Sequence, residues 1–213
     1  MEKVRSARRK KRQTMDKKAF RAWQRNRLIT FAKSPVKKAE DQELLNLALS
    51  HPWVKKAQNI GLTFSLPLEV NTLPLIASLQ KMGKKVYIAR CYSNRQMDFV
   101  FYEAGSELKE TKFGVLEVAS QEAPIKNNLD LLFVPGLGFS PEGKARIGFG
   151  GGYYDRFLAK YQKDYQFKTV SLVNSGMYFE EPLWPQESFD IPLDDLIIVK
   201  EIKRQEAENN EEV

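Results

Sequence analysis

The stretch Leu129-Asp-Leu-Leu-Phe-Val-Pro-Gly136 is a nearly continuous apolar run that stops at a proline and a glycine. A strand buried on both faces of a parallel sheet has this composition, because none of its side chains faces water. Apolar runs of strand length also occur on either side of it, separated by segments with helical periodicity. The sequence therefore predicts an α/β fold of three layers, α/β/α, with a mostly parallel central sheet preceded by two amino-terminal helices.

The elements around this stretch follow from periodicity and from capping residues. Further strands are predicted at residues 60–64, 86–89, 97–102, 169–173 and 196–199. One helix is predicted to begin after Asp16 and end near Ala32, and a second to begin at Ser34-Pro35 and end at His51-Pro52. Two later helices are predicted at residues 72–82 and 152–161.

Length and composition indicate one domain. The chain has 213 residues, 42% of them hydrophobic, and we expect a single domain over residues 15–200. No segment approaches the roughly 20 apolar residues of a membrane-spanning helix, and the amino terminus lacks the apolar core of a secretory signal. A cytoplasmic protein is expected. Cys91 is the only cysteine, which excludes a disulfide within the chain and a zinc site with several thiolates.

The formal net charge of +7 is concentrated at the amino terminus. Residues 1–14 hold seven basic residues and one acidic residue, Glu2, so the rest of the chain is close to neutral. This segment is expected to be a disordered extension, and the polar residues 201–213 a tail that frays. A nucleic-acid-binding protein that uses the basic extension is the alternative of another class. The near-neutral domain argues against it.

The glycine-rich segment Arg146-Ile-Gly-Phe-Gly-Gly-Gly-Tyr-Tyr-Asp-Arg156 is the most informative motif. Backbone N–H groups of consecutive glycines can converge on an anion, and the helix that follows directs its positive end to the same point. Phe149-Gly150 stands where a Walker A loop needs Lys-Ser/Thr, and Tyr153 replaces the third glycine of a dinucleotide fingerprint. From the glycines alone, a phosphate site and a tight structural turn remain equally possible.

Charged neighbours favour the phosphate interpretation. Arg146 can meet a phosphate with its planar guanidinium, and Asp155 could hold Mg²⁺ beside bound phosphates or stabilise the helix dipole. Lys17 and Arg21 are four residues apart, so both project from one face of the first helix. They could bind an oligophosphate together or form an ordinary solvated surface.

With these residues in view, the chain resembles the 5-formyltetrahydrofolate cyclo-ligase family. The most specific part is the pairing of Val134-Pro-Gly-Leu-Gly-Phe139 with the motif at residues 146–156, and the resemblance extends over residues 15–200. Supporting matches are Lys17-x-x-x-Arg21, Glu69-Val-Asn-Thr72, Phe113-Gly-Val-Leu-Glu117 and Asp190-Ile-Pro-Leu-Asp194.

The resemblance implies an ATP- and Mg²⁺-dependent ring closure of 5-formyltetrahydrofolate, with or without further glutamate residues, to 5,10-methenyltetrahydrofolate by a monomer. It implies ATP contacts from Lys17, Arg21, Arg146, Ile147, Gly148, Phe149, Gly150, Gly151, Gly152, Tyr153 and Tyr154. Among these, Lys17, Arg146 and Tyr154 are the expected catalytic residues. Folate contacts are implied for Phe64, Glu69, Phe149, Gly150, Gly151, Gly152 and Tyr153, and Mg²⁺ ligands for Asp155 and Asp190.

One departure from the family pattern bears on function. Phe189 stands where many relatives have a histidine just before the aspartate of the closing motif, which weakens the case for Asp190. Two alternatives therefore stay open beside the cyclo-ligase. One is another small-metabolite ATP-dependent kinase or ligase that uses the same glycine-rich site, and the other is an inactive relative that binds folate.

Overall fold

The structure is a computed structural model that describes residues 14–200 and Ile202. The expectations for the amino-terminal extension and for the carboxyl-terminal tail concern residues that lie, apart from Thr14 and Ile202, outside this part of the chain. The helices are α1 (Lys17–Phe31), α2 (Pro35–Ser50), α3 (Pro52–Lys56), α4 (Leu73–Lys81) and α5 (Tyr153–Tyr161). A 3-10 turn spans Glu142–Lys144.

The strands form one large sheet and two small ones. The strands of the large sheet are β1 (Asn59–Leu62), β2 (Lys85–Cys91), β3 (Met97–Tyr102), β6 (Leu131–Phe133), β9 (Lys168–Val173) and β10 (Asp195–Ile198). Their order is β10-β9-β6-β1-β2-β3, and every neighbouring pair is parallel except β2 with β3. The predicted mostly parallel sheet is confirmed, and the apolar stretch at residues 129–134 contains its inner strand β6.

Helices cover both faces of this sheet, so the predicted α/β/α class is confirmed. Helices α2 and α4 pack against each other and against the strands β9, β10 and β2. Helix α5 packs on the opposite face, where the rings of Phe157 and Phe99 lie 5.0 Å apart in an edge-on contact. The predicted caps are also confirmed, since Asp16 accepts hydrogen bonds from the N–H groups of Lys18 and Ala19, and Ser34 from that of Lys37.

Helix α1 is fixed by a buried polar contact and an aromatic cluster. The amide of Gln24 is fully buried and donates to the carbonyls of Leu137, 2.7 Å away, and Gly176, 2.8 Å away. Phe20 packs against Trp184, with ring centroids 4.8 Å apart. These contacts hold α1 against the loops that follow β6 and β9.

Four short strands were not predicted, and they form two antiparallel hairpins. Strands β4 (Leu108–Glu110) and β5 (Leu116–Val118) form one, and β7 (Gly138–Ser140) and β8 (Ala145–Ile147) form the other. Three residues are too few to show a period of two, so sequence patterning does not reveal such strands. In the described part of the chain, no helix combines the length and the apolar character needed to cross a membrane.

A substitution at Leu132 of β6 tests whether this strand is buried at the centre of the sheet. Its side chain is fully buried, so Leu132→Ala should leave a cavity and lower the free energy of unfolding by about 2–5 kcal/mol. Leu73→Ala is the matched control, because Leu73 at the start of α4 is 54% exposed and its loss should cost less than about 0.5 kcal/mol. Urea denaturation of both variants measures the difference, and equal losses would contradict the central placement of β6.

Candidate functional site

A cleft of about 1160 Å³ lies at the carboxyl ends of β1, β2 and β6. Chain segments directly after these strands, at Thr63, Tyr92 and Pro135, contribute to its lining. The crevice beyond the carboxyl ends of parallel strands is the usual ligand site of open α/β sheets. The cleft is lined by all fifteen residues that the sequence predicted for the site, namely Lys17, Arg21, Phe64, Glu69, Arg146, Ile147, Gly148, Phe149, Gly150, Gly151, Gly152, Tyr153, Tyr154, Asp155 and Asp190.

The glycine-rich loop, residues 148–152, connects β8 to α5. Gly150 has φ +100° and Gly152 has φ +69°, backbone conformations that residues with a β-carbon rarely adopt. Gly152 is the amino-terminal cap of α5, and it has no side chain to occupy the free N–H groups of the first turn. The loop is therefore an exposed set of donors at the positive end of a helix, which suits an anion.

A buried ion pair closes this loop at its base. Arg146 of β8 is 9% exposed, and its Nη2 donates to Oδ1 of Asp155 in the first turn of α5 over 2.7 Å. Its Nη1 donates to the carbonyl of Pro135 over 3.4 Å, whereas its buried Nε has no hydrogen-bond partner among the described residues. The guanidinium thus keeps one buried donor that no described residue satisfies.

Helix α1 forms a basic wall along the same loop. Arg21 donates from Nε to the carbonyl of Gly148 over 2.9 Å, and Arg25 reaches the carbonyl of Phe149 at 3.4 Å. Burial lowers the pKa of Arg21, an effect that the nearby carboxylate of Asp190 opposes. The sequence had left open whether Lys17 and Arg21 form a solvated surface, and the structure places both at the cleft, with Arg21 directly on the glycine-rich loop.

Lys17 is held by two carboxylates from the opposite end of the chain. Its Nζ lies 2.6 Å from Oδ2 of Asp190 and 2.7 Å from Oε2 of Glu187. Asp190 also accepts from the N–H of Glu187, which fixes the carboxylate within its own turn. Phe189, the departure from the family pattern, is 65% exposed, and Lys17 lies 5.1 Å from its ring centre. Glu187 was not predicted, because nothing in its local sequence distinguishes it from a surface glutamate.

The two predicted metal ligands lie on segments that meet at the cleft. Oδ1 of Asp155 accepts from the N–H of Ile191, the residue after Asp190, over 3.4 Å. The described residues contain no group of three or more His, Cys, Asp or Glu side chains that could hold a metal ion. Two carboxylates beside a phosphate cradle nevertheless fit Mg²⁺, which commonly takes one or two carboxylates and completes its shell with substrate phosphates.

The floor of the cleft is apolar and contains a buried acid. Phe64 is 4% exposed and packs edge-on against Tyr102, with centroids 5.1 Å apart. Glu69 is 7% exposed, accepts from the N–H of Leu66 over 2.7 Å, and has its pKa raised to about 7 by burial. The hydroxyl of Tyr154 is buried beside Thr63, the residue after β1, and burial raises the pKa of this phenol.

Besides α1, the cleft has a second wall, here called the hairpin wall. It consists of Tyr92, Ser93 and Arg95 after β2 and of residues 111–113 at the β4–β5 tip. The glycine-rich loop lies between the two walls. Gly148 and Phe149 contact α1, whereas Tyr153 donates from its hydroxyl to the carbonyl of Tyr92 over 3.2 Å. Sequence reasoning missed this wall because its strands are short and its residues are separated along the chain.

Cys91 is half-buried at the end of β2 and lines the cleft. Burial and the neighbouring carboxylate of Glu117 raise the pKa of the Cys91 thiol to about 12. A thiol that stays protonated is a poor nucleophile. The cleft is therefore suited to positioning and charge neutralisation rather than to covalent catalysis by this residue.

Comparison with known proteins agrees with this geometry. The model of the 5-formyltetrahydrofolate cyclo-ligase family matches residues 6–199. A 5-formyltetrahydrofolate cyclo-ligase from Haemophilus influenzae is 33% identical over 162 residues, which cover 74% of this chain and 84% of that protein. The 5-formyltetrahydrofolate cyclo-ligase from Escherichia coli is 30% identical over 156 residues, which cover 71% of this chain and 84% of that protein. The solved 5,10-methenyltetrahydrofolate synthetase of Aquifex aeolicus has a TM-score of 0.71 and 26% identity, with 86% of this chain and 90% of that chain covered.

The buried carboxyl of Glu69 should make stability depend on pH. Its pKa is about 7 in the folded protein against 4.5 as the ordinary value, so between these values the folded chain keeps a proton that the unfolded chain has lost. The contribution of the Glu69 carboxyl to the free energy of unfolding therefore falls as pH rises from 4.5 to 7. Glu69→Gln should gain stability relative to the wild type over this window, by up to about 1.4 kcal/mol per unit of displaced pKa.

Urea denaturation of wild type and Glu69→Gln at pH 5 and pH 8 measures this change. Glu122→Gln, at an exposed loop position, is the control and should differ from the wild type by the same amount at both pH values. If the difference in free energy of unfolding between Glu69→Gln and the wild type is also the same at pH 5 and pH 8, the carboxyl is ionised in the folded protein. The description of Glu69 as a buried, protonated acid would then be wrong.

Proposed function

We propose, from the premise that this chain belongs to the 5-formyltetrahydrofolate cyclo-ligase family, that ATP drives its reaction in the cleft between α1 and the hairpin wall. As a member of this family, the chain converts 5-formyltetrahydrofolate to 5,10-methenyltetrahydrofolate. The observation that supports the role of ATP is the convergence of Lys17, Arg21 and Arg146 on the cleft that the loop at residues 148–152 also lines. These residues come from distant parts of the chain, and together they form a cationic site beside free backbone donors.

In this proposal the glycine-rich loop and the basic side chains bind the triphosphate. Backbone N–H groups at the start of α5 face the phosphate oxygens, and Arg146 adds a charged guanidinium. Lys17 and Arg21 approach from the other side. Lys17 is bound to Glu187 and Asp190, so ATP would compete with these carboxylates for the ammonium group.

Mg²⁺ fits the same end of the cleft. Asp155 and Asp190 would hold it together with phosphate oxygens of the nucleotide. When bound there, the ion would neutralise negative charge on the phosphates and help to orient them.

The folate would occupy the floor of the cleft. A carboxyl group such as that of Glu69 suits the polar edge of a pterin, and the ring of Phe64 suits its flat face. Phe149, Tyr153 and the intervening glycines lie between this floor and the phosphate site. A pterin bound at Glu69 therefore places its formyl group towards the nucleotide.

The chemistry then needs two displacements. The formyl oxygen attacks the γ-phosphorus of ATP and ADP leaves. N10 of the folate next attacks the formyl carbon, the phosphate leaves with the former formyl oxygen, and N10 releases its proton to solvent. Phosphoryl transfer of this kind depends on alignment of the reactants and on stabilisation of the charge that develops. Lys17, Arg21 and Arg146 supply the stabilising positive charge. The hydroxyl of Tyr154 is a further, buried donor.

Loss of the Lys17 charge should impair the reaction strongly. Lys17→Gln is expected to lower kcat/KM by about 10²–10³, the usual effect of removing one group that stabilises transition-state charge. The measurement is the near-ultraviolet absorbance of methenyltetrahydrofolate formed from 5-formyltetrahydrofolate and Mg-ATP. Lys38→Gln is the control, because Lys38 is an exposed residue of α2 outside the cleft. Equal activity of the two variants, or product formation without ATP, would contradict the proposal.

Asp155→Asn tests the proposed metal role. The amide keeps the shape of the side chain but removes its charge, so the Mg²⁺ concentration for half-maximal rate should rise about tenfold or more. Asp164→Asn, at an exposed position beyond α5, should leave the Mg²⁺ dependence unchanged. An unaltered Mg²⁺ titration for Asp155→Asn would show that this carboxylate serves Arg146 alone.

A further inference from the structure

Two cations of the hairpin wall, Arg95 and Lys112, have no partner for their charge among the described residues. Both line the cleft and are exposed, and within this part of the chain neither side chain forms a hydrogen bond or an ion pair. The ammonium of Lys112 lies 5.1 Å from the centroid of the Phe113 ring. The cleft therefore carries positive charge at the side away from the proposed phosphate site.

Acidic residues of the cleft do not neutralise these cations, because each is engaged elsewhere. Their partners are the α1 backbone for Asp16, the N–H of Leu66 for Glu69, the N–H of Cys91 for Glu117, Arg146 for Asp155, and Lys17 for Glu187 and Asp190. An anionic ligand that reached the hairpin wall would thus meet two uncompensated positive charges.

The segments that carry the two cations are anchored. Arg95 donates its N–H to the carbonyl of Tyr92, which also accepts from the hydroxyl of Tyr153. The buried guanidinium of Arg90 donates to the carbonyls of Val118 and Ser120, which fastens the β4–β5 hairpin to β2. Both cations are therefore long side chains on fixed backbone, and they can adjust to a ligand without movement of the wall.

We propose that Arg95 and Lys112 bind the glutamate carboxylates of the folate substrate. This inference rests on the proposed function, in which phosphates occupy the α1 side and the pterin occupies the floor at Glu69. The glutamate is then the remaining anionic part of the substrate, and the hairpin wall offers it two cations that belong neither to α1 nor to the glycine-rich loop. A guanidinium matches a carboxylate with paired donors, and an ammonium adds a second, more adaptable charge.

The test compares two substrates, 5-formyltetrahydrofolate and its analogue in which both glutamate carboxylates are carboxamides. Arg95→Gln and Lys112→Gln should each raise KM for the natural substrate about tenfold while leaving kcat unchanged, as expected for a charged contact made equally in the ground and transition states. With the diamide as substrate, both variants should have the same KM as the wild type has for the diamide. Raised salt should reduce the difference between the two substrates, since exposed charges are screened.

Lys18→Gln is the matched control, because Lys18 is also a cation that lines the cleft but lies on α1. It should affect the two substrates equally. Lys112→Arg keeps the charge and should restore the wild-type KM. Equal denaturation midpoints would confirm that the variants are folded.

The possible failures are distinguishable. If the wild type forms no product from either substrate with Mg-ATP, the proposed function is overturned, and this inference with it. If the wild type converts both substrates but the Arg95→Gln and Lys112→Gln variants change KM for both equally or for neither, only the carboxylate site is overturned.

Discussion

The position of α1 against the loops after β6 and β9 is the constraint on which the cleft depends. The buried amide of Gln24 fixes it, because this side chain satisfies two backbone carbonyls from loops 39 positions apart, those of Leu137 and Gly176. A buried donor left unpaired would be costly, so this contact specifies one orientation of the helix. In that orientation Lys17 lines the cleft and Arg21 reaches the glycine-rich loop.

Two cations of the cleft are balanced by carboxylates, which helps one site to be stable and still accept polyanions. Arg146 is paired with Asp155, and Lys17 with Asp190, so neither cation is an isolated charge. Bound phosphates can take over these cations and release the carboxylates for a metal ion. The unpaired cations lie instead on the exposed hairpin wall, where water stabilises them at low cost.

Much of the fold was predictable because its elements have strong local signals. The apolar run of β6, the caps Asp16 and Ser34, and the glycine that begins α5 all appear in the structure where the sequence indicated them. Helix α3, the hairpins β4–β5 and β7–β8, and the antiparallel direction of β3 were not predicted. Strands of three residues are too short to show an alternating pattern. The direction of a strand depends on the neighbouring strand with which it forms hydrogen bonds, and that pairing is a property of the whole sheet.

By itself, the sequence determined the chemistry available to the cleft: a glycine-rich loop, and a set of cations and carboxylates in a recognisable order. Only the tertiary structure decided how these groups meet. The pair Lys17–Asp190 joins residues 173 positions apart, and the hairpin wall faces α1 across a loop that touches both. The raised pKa of Glu69 also belongs to the fold, because desolvation depends on what surrounds a carboxyl group in space rather than on its neighbours along the chain.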